Sequence, residues 1–472
     1  MEKQHQIFFD FLRFCIGSDS EIPSSLKEAD WKELYAIAQK QCLVGVLFDG
    51  IKKLPAEYVG MKKELLLQWM AESQMLVKAN VRLNDAAIQV SEWFLKKGFR
   101  TCILKGQGNA MMYPNPCSRT PGDIDIWVEG GDKRVISFVR SISPHEKACY
   151  HHIEFPSYKG VEVEVHYRPS FLLCFWHNRK LQKYYERVKE EQFSHRVMLG
   201  EQGEIAIPTV EFNLIFQLTH IFSHLMNEGI GLRQLVDYYY VLCDFYKVYQ
   251  NFSKITPSLF TLKEGDFSNH PVPLSKEGST FSPSPSSSGS GDVTAPSRCS
   301  EPLRSKDGGP SKVSPNCAGW DRRDAIGDMT SATASTDSSA TAARSSSTAN
   351  SSAAIDRVQK ELKELGLWKF AGGIMYIMQE VFGMPASRLI VPPNEKYGKF
   401  VLNEVLEAGN FGRHDARNRF GRSKLGHNLQ RVYRDMRLVR YFPGEALCEP
   451  LFRIWHFFWR LKHRRQSLGV FS

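Results

Sequence analysis

The chain has 472 residues and a net charge of +10, with 42% hydrophobic and 24% charged residues, a balance that excludes a wholly disordered or fibrous protein and supplies a substantial core. Its 10 cysteines form no Cys-x-x-Cys pair and no Cys/His zinc spacing, which excludes a disulfide scaffold and points to a reducing, cytoplasmic compartment. No window reaches the ~18 uninterrupted apolar residues of a spanning helix.

The first 98 residues are helical in pattern. Phe8, Phe11, Leu12 and Cys15 recur at helical spacing, and Asp10 and Arg13 within that stretch mark it as a helix and not a signal peptide. Asp30 ahead of Trp31 reads as a helix start. Residues 61–97 hold neither Pro nor Gly, Gly98 ends them, and Leu76, Leu83, Val90 and Phe94 form one apolar stripe that packs on a sheet.

Residues 99–207 change character. Strands are expected near 100–104, 124–128, 152–155 and 161–167, with a helix near 132–141 and a further strand at 204–207. The first strand runs into Lys105-Gly106-Gln107-Gly108, where glycine lets backbone N–H groups approach a phosphate. Gly122-Asp123-Ile124-Asp125-Ile126-Trp127-Val128 then places two carboxylates on one face of a strand, with Ile124 and Ile126 on the core face. Most Asp-x-Asp pairs are solvated strand ends. These two sit in an apolar run, where unpaired carboxylates cost several kcal/mol, so a bound cation is the simpler account. Hard oxygen ligands suit Mg²⁺ (or Mn²⁺). In Val161-Glu162-Val163-Glu164-Val165-His166-Tyr167 the valines share one face, and Glu162, Glu164 and His166 share the other. That polar face looks either at water or at Asp123 and Asp125.

Taken together, Leu104-Lys105-Gly106, Tyr113-Pro114, Arg119, Gly122-Asp123-Ile124-Asp125 and Glu164-Val165-His166-Tyr167 resemble the uncharacterised nucleotidyltransferase family of bacterial proteins, within the DNA polymerase beta-like superfamily. The resemblance implies an α+β fold: a polymerase-beta-like core of small mixed sheet and helices, flanked by N- and C-terminal helical regions. It implies that Asp123, Asp125 and Glu164 bind two Mg²⁺ ions around an NTP, with Glu162 as the alternative if the register shifts by two. Lys105, Gly106, Gln107 and Arg119 then cradle the phosphates. The superfamily usually has Gly-Ser or Gly-Gly where this chain has Gly106-Gln107, and its spacing to the aspartates is shorter.

Pro208 introduces a helix over 209–227, where His220 and His224 share a face with Phe216. The glutamate that a zinc protease needs between them is absent, so the pair belongs at the edge of the nucleotide pocket or in a helical interface. The resemblance extends through these histidines to Arg233 and Asp237, which at i,i+4 read as a surface salt bridge. Residues 257–353 are rich in Ser, Thr, Pro and Ala and form a disordered insert. Helix resumes over 354–382 and ends at Met384-Pro385.

Residues 394–472 carry 16 Lys/Arg against 7 Asp/Glu, so most of the excess positive charge is C-terminal. Arg417, Arg419, Arg422, Lys424, Arg431, Arg434, Arg437 and Arg440 suit either phosphate or a solvated helix face. In 449–465 aromatic and basic residues alternate, as in a docking helix or a peripheral membrane contact. The chain thus divides into helical 1–98, catalytic 99–207, helical 208–256, the insert, and a basic helical 354–472. The expected activity is Mg-dependent transfer of a nucleoside monophosphate to an acceptor hydroxyl or phosphate. The alternative is an inactive nucleotide- or polyanion-binding protein, and nucleic acid as a partner rests on charge alone.

Overall fold

Local chemistry sets the first helix boundaries. In the computed structural model, which describes residues 3–201, 203–255, 338–417 and 424–465, helix α1 (Lys3–Ile16) packs against α2 (Trp31–Lys40) and α3 (Val44–Ile51). Asp30 caps α2 as its sequence predicts, accepting from the Lys32 and Glu33 N–H groups at 2.9 and 3.2 Å. Helix α4 (Lys63–Lys96) has 34 residues, ends at a left-handed Gly98 (φ +79°), and is long enough to serve two cores. Trp69 lies in the large helical core with α1, α2 and α3, whereas Leu83, Val90 and Phe94 lie in a second core beneath the sheet. Leu76 is half-buried against the first core, so the single stripe of the sequence is divided between the two.

The sheet is built from β1 (Thr101–Ile103), β2 (Ile124–Val128), β3 (His152–Tyr158) and β4 (Val161–His166), in the order β1-β2-β4-β3. A four-residue helix α5 (Gln107–Ala110) follows β1, and α6 (Gly131–Ile142) follows β2. Strand β1 is antiparallel to β2, and β3 is antiparallel to β4. The crossover through α6 and β3 lays β4 parallel to β2. Lys159 and Gly160, at φ +50° and +77°, close the β3–β4 hairpin with the two left-handed residues that such a turn needs. That turn carries β3 to Tyr158, beyond the expected 152–155. Ile124, Ile126 and Val128 face the core under α4 and α6, and Trp127 faces the helical core on the other side. The period-2 pattern of the sequence is realised.

Helix α7 (Phe175–Ser194) leads to a two-stranded ribbon, β5 (Arg196–Leu199) and β6 (Gly203–Ala206), and then to α8 (Val210–Asn227) and α9 (Leu232–Ile255). The chain continues with α10 (Ser338–Glu364), α11 (Trp368–Glu380), α12 (Glu395–Ala408), α13 (Lys424–Leu438) and α14 (Pro443–Arg465). The α+β class is as expected. Of the insert expected over 257–353, residues 257–337 lie outside the described residues and 338–353 belong to α10. The single helix expected over 354–382 is two, because Gly366 (φ +70°) ends α10 before α11 begins.

The arginine run is partly internal. Arg417 binds Glu404 at 2.8 and 3.0 Å and Asp415 at 2.8 Å, and Arg437 lies 3.4 Å from Glu404, so neither guanidinium is held out for phosphate. Arg419 and Arg422 lie outside the described residues. On α14, Phe452 stacks on Phe171 and Trp455 packs edge-on to Tyr150, while Leu447, Leu451, Ile454, Phe458 and Leu461 are exposed. No described helix is long and apolar enough to cross a membrane.

Candidate active site

Parallel pairing of β2 with β4 puts Asp125 directly beside Glu164. Asp123, two residues earlier, points the same way, and one oxygen from each of Asp123, Asp125 and Glu164 lies within 4.8 Å of the others. Asp125 is only 2% exposed. The Leu104 N–H donates to the Asp125 carbonyl at 3.0 Å and carries the β1 pairing one residue further. Lys105 is thereby brought over β2, and its ammonium lies 2.9 Å from Asp125 Oδ1. Gly106 follows at φ +60°, a conformation that favours glycine, as the turn into α5 requires. His166, two residues beyond Glu164, places Nε2 3.0 Å from the same Asp125 oxygen and 3.4 Å from Glu164 Oε2.

The charges are strongly interdependent. The negative charge of Asp125, together with burial, raises the Asp123 carboxyl above its usual range. Burial pushes Asp125 the same way, but the Lys105 ammonium and the His166 hydrogen bond outweigh it and hold Asp125 well below the ordinary value. His166 is likewise opposed by burial, yet its bonds to Asp125 and Glu164 lift it to about 9. Burial lowers His152 to about 4, so that ring is a neutral donor or ligand at neutral pH.

Each sequence-derived candidate has a definite place. Glu164 joins the aspartates, whereas Glu162 is exposed at the far end of β4 and outside the acidic group, so no register shift is needed. Gln107 is a correction. It is 3% exposed, and its amide donates to Asn84 on α4, so the side chain is already engaged within the protein. Arg119 is a second. Its Nε and Nη2 each donate to Asp237 at 2.8 Å, and the buried guanidinium braces the loop ahead of Asp123 in place of gripping phosphate. The expected Arg233–Asp237 surface pair is therefore replaced by a buried Arg119–Asp237 pair, while Arg233 Nη1 donates to the Thr120 carbonyl at 3.1 Å. On α8 the rings of His220 and His224 are 4.2 Å apart, and His224 binds Glu228. Burial lowers His220 well below its usual value, and the Lys105 ammonium adds to this, so that ring is held neutral.

Two residues escaped the sequence reading. Register places His152 of β3 opposite His166, with its Nδ1 3.3 Å from Glu164 Oε2, and His151 Nε2 lies 3.0 Å from His152 Nδ1. The available signal was the His151-His152 pair at the head of a strand that hairpins onto the Glu164 strand. A cleft of about 520 Å³ lies elsewhere, lined by Tyr150, Arg168, Phe175 and Trp455 among others, and none of the three carboxylates borders it.

The donor set suits a hard divalent cation. All three convergent groups offer carboxylate oxygen, and among the described residues Asp123 has no ion-pair partner to neutralise it. Residues 27–251 match the family model described as uncharacterised nucleotidyltransferase, a span that runs from before α2 into α9 and includes every residue of this site. No curated protein and no solved structure matches the chain.

Proposed function

We propose, for a chain whose residues 27–251 match the model of an uncharacterised nucleotidyltransferase family, that the protein transfers a nucleoside monophosphate from an NTP to an acceptor hydroxyl or phosphate and releases pyrophosphate. The observation that carries this reading is the convergence of Asp123, Asp125 and Glu164 from two adjacent strands. These residues would hold Mg²⁺ (or Mn²⁺). When bound, such an ion neutralises triphosphate charge and lowers the pKa of an attacking hydroxyl. Lys105 stands on Asp125 at 2.9 Å, near enough to exchange that carboxylate for a phosphate oxygen once charge is balanced. The turn at Gly106 leaves backbone room beside it. Arg119 and Asp237 act at a distance, by fixing the loop that delivers Asp123.

The test is pyrophosphate release by purified protein with Mg²⁺ or Mn²⁺, each NTP in turn and a panel of alcohol, phosphate and RNA-end acceptors. Metal-dependent release supports the reading. Nucleotide binding with no release for any acceptor favours binding without turnover. The proposal extends to a peripheral contact of α14 with an anionic bilayer, where Phe457, Phe458 and Leu461 stand exposed beside Arg460 and Lys462. The basic side chains match the charge of such a surface.

A further inference from the structure

The polar face of the sheet holds more than oxygen ligands. His152 Nδ1 lies 3.3 Å from Glu164 Oε2, His166 Nε2 lies 3.4 Å from the same oxygen, and one ligand atom from each of the three residues falls within 4.8 Å of the others. A charge-assisted hydrogen bond is shorter, about 2.7–2.9 Å. Ligands bonded to a tetrahedral ion at about 2.0–2.1 Å are instead separated by roughly 3.3–3.4 Å. The two distances to Glu164 equal the edge of such a tetrahedron, and each nitrogen has a second contact at 3.0 Å, His152 Nδ1 with His151 Nε2 and His166 Nε2 with Asp125 Oδ1.

Orientation agrees with spacing. His166 Nδ1 lies 3.4 Å from the Arg168 carbonyl, so a proton on Nδ1 points there, while Nε2 lies between Asp125 Oδ1 at 3.0 Å and Glu164 Oε2 at 3.4 Å. His152 reaches the group from β3, the edge strand, whose register sets it opposite His166. Two imidazole nitrogens and one carboxylate oxygen form a borderline donor set, unlike the all-oxygen group of Asp123, Asp125 and Glu164.

We infer that His152 Nδ1, Glu164 Oε2 and His166 Nε2 form a second cation site, selective for a borderline ion such as Zn²⁺ and sharing Glu164 with the hard-cation site. Three protein ligands leave a fourth position for water or a substrate oxygen, the pattern of catalytic zinc sites. His166 then exchanges its contact with Asp125, and His152 Nδ1 its contact with His151 Nε2, for the ion, and Lys105 remains on Asp125. This inference rests on the proposed function only through the shared Glu164.

The test is metal binding, read separately from turnover. Purified full-length protein in excess Mg²⁺ is titrated with Zn²⁺ by calorimetry and with Co²⁺ by visible absorption, using the parent, His152→Ala, His166→Ala and Asp123→Asn/Asp125→Asn. The site predicts one Zn²⁺ equivalent and the intense absorption of tetrahedral Co²⁺. Both are weakened at least about tenfold in His152→Ala and in His166→Ala and kept in the aspartate variant. Loss in His152→Ala alone places the ion instead on Cys149, His151 and His152 and overturns the inference. Thermal melting and His152→Gln control for folding: a folded His152 variant that binds Zn²⁺ as the parent does overturns the inference. So does the weak spectrum of octahedral Co²⁺, or zinc loss confined to the aspartate variant. Pyrophosphate release without zinc binding refutes this site and leaves the proposed function standing. Zinc binding without release does the reverse.

Discussion

Arg119 and Asp237 lie 118 residues apart in sequence and are joined by two hydrogen bonds of 2.8 Å, with side chains only 4% and 5% exposed. Tyr113 adds a third bond to Asp237 at 2.7 Å. Breaking a buried pair by removing one partner strands a charge, at a cost of about 3–5 kcal/mol. Asp237→Ala should therefore lose about that much in urea denaturation, and Tyr113→Phe about 1.5–3 kcal/mol. Arg119→Lys should not rescue, because an ammonium cannot form the paired bonds. A loss below about 1 kcal/mol for Asp237→Ala would remove the bracing role assigned to this pair.

Gly106 adopts φ +60° and ψ −108° at the turn between β1 and α5. An alanine there is strained by about 1–3 kcal/mol. Its Cβ would meet only the Asp123 carbonyl, at 3.5 Å, so the strain is conformational and not steric. Gly106→Ala is expected to fold and to weaken nucleotide affinity in calorimetry. Unchanged affinity would separate this turn from the phosphate.

Asp435 gives the pH dependence. Burial, followed by the charge of Glu449, raises its carboxyl to about 7. The folded state thus binds a proton that the unfolded chain has released, so this group lowers stability as pH climbs from about 4 to 7, after which the effect is constant. Asp435→Asn should flatten that part of the stability–pH curve and raise stability at pH 8. Parallel curves for parent and variant would contradict it.

The exposed face of α14 predicts adsorption to vesicles containing anionic lipid. Sedimentation with such vesicles should fall with added salt and be lost in Ile454→Glu/Phe458→Glu. Equal binding to neutral vesicles, or retention by the double variant, would rule out the charge-matched contact.

Much of this site was legible because its information is local. Alternation through Asp123–Val128 and Val161–His166 fixes which side chains share a face, and the Pro- and Gly-free run of α4 fixes a long helix. What stayed hidden depends on pairing across the chain. The i,i+4 spacing of Arg233 and Asp237 suggested a partner, but Arg119 reaches Asp237 first, from a loop that sequence spacing cannot place. His152 enters the site only because the Lys159-Gly160 turn folds β3 back onto β4. Arg417 looked free to meet phosphate until α12 supplied Glu404.

The proposed function turns on Asp123, Asp125 and Glu164 holding the cation that carries a nucleotide's phosphates. Its most direct measurement is the shift in melting temperature produced by each NTP with Mg²⁺, in the parent and in Asp123→Asn/Asp125→Asn. A metal-dependent shift in the parent that disappears in the folded double variant is the predicted result. Equal stabilisation of both proteins by nucleotide would contradict it.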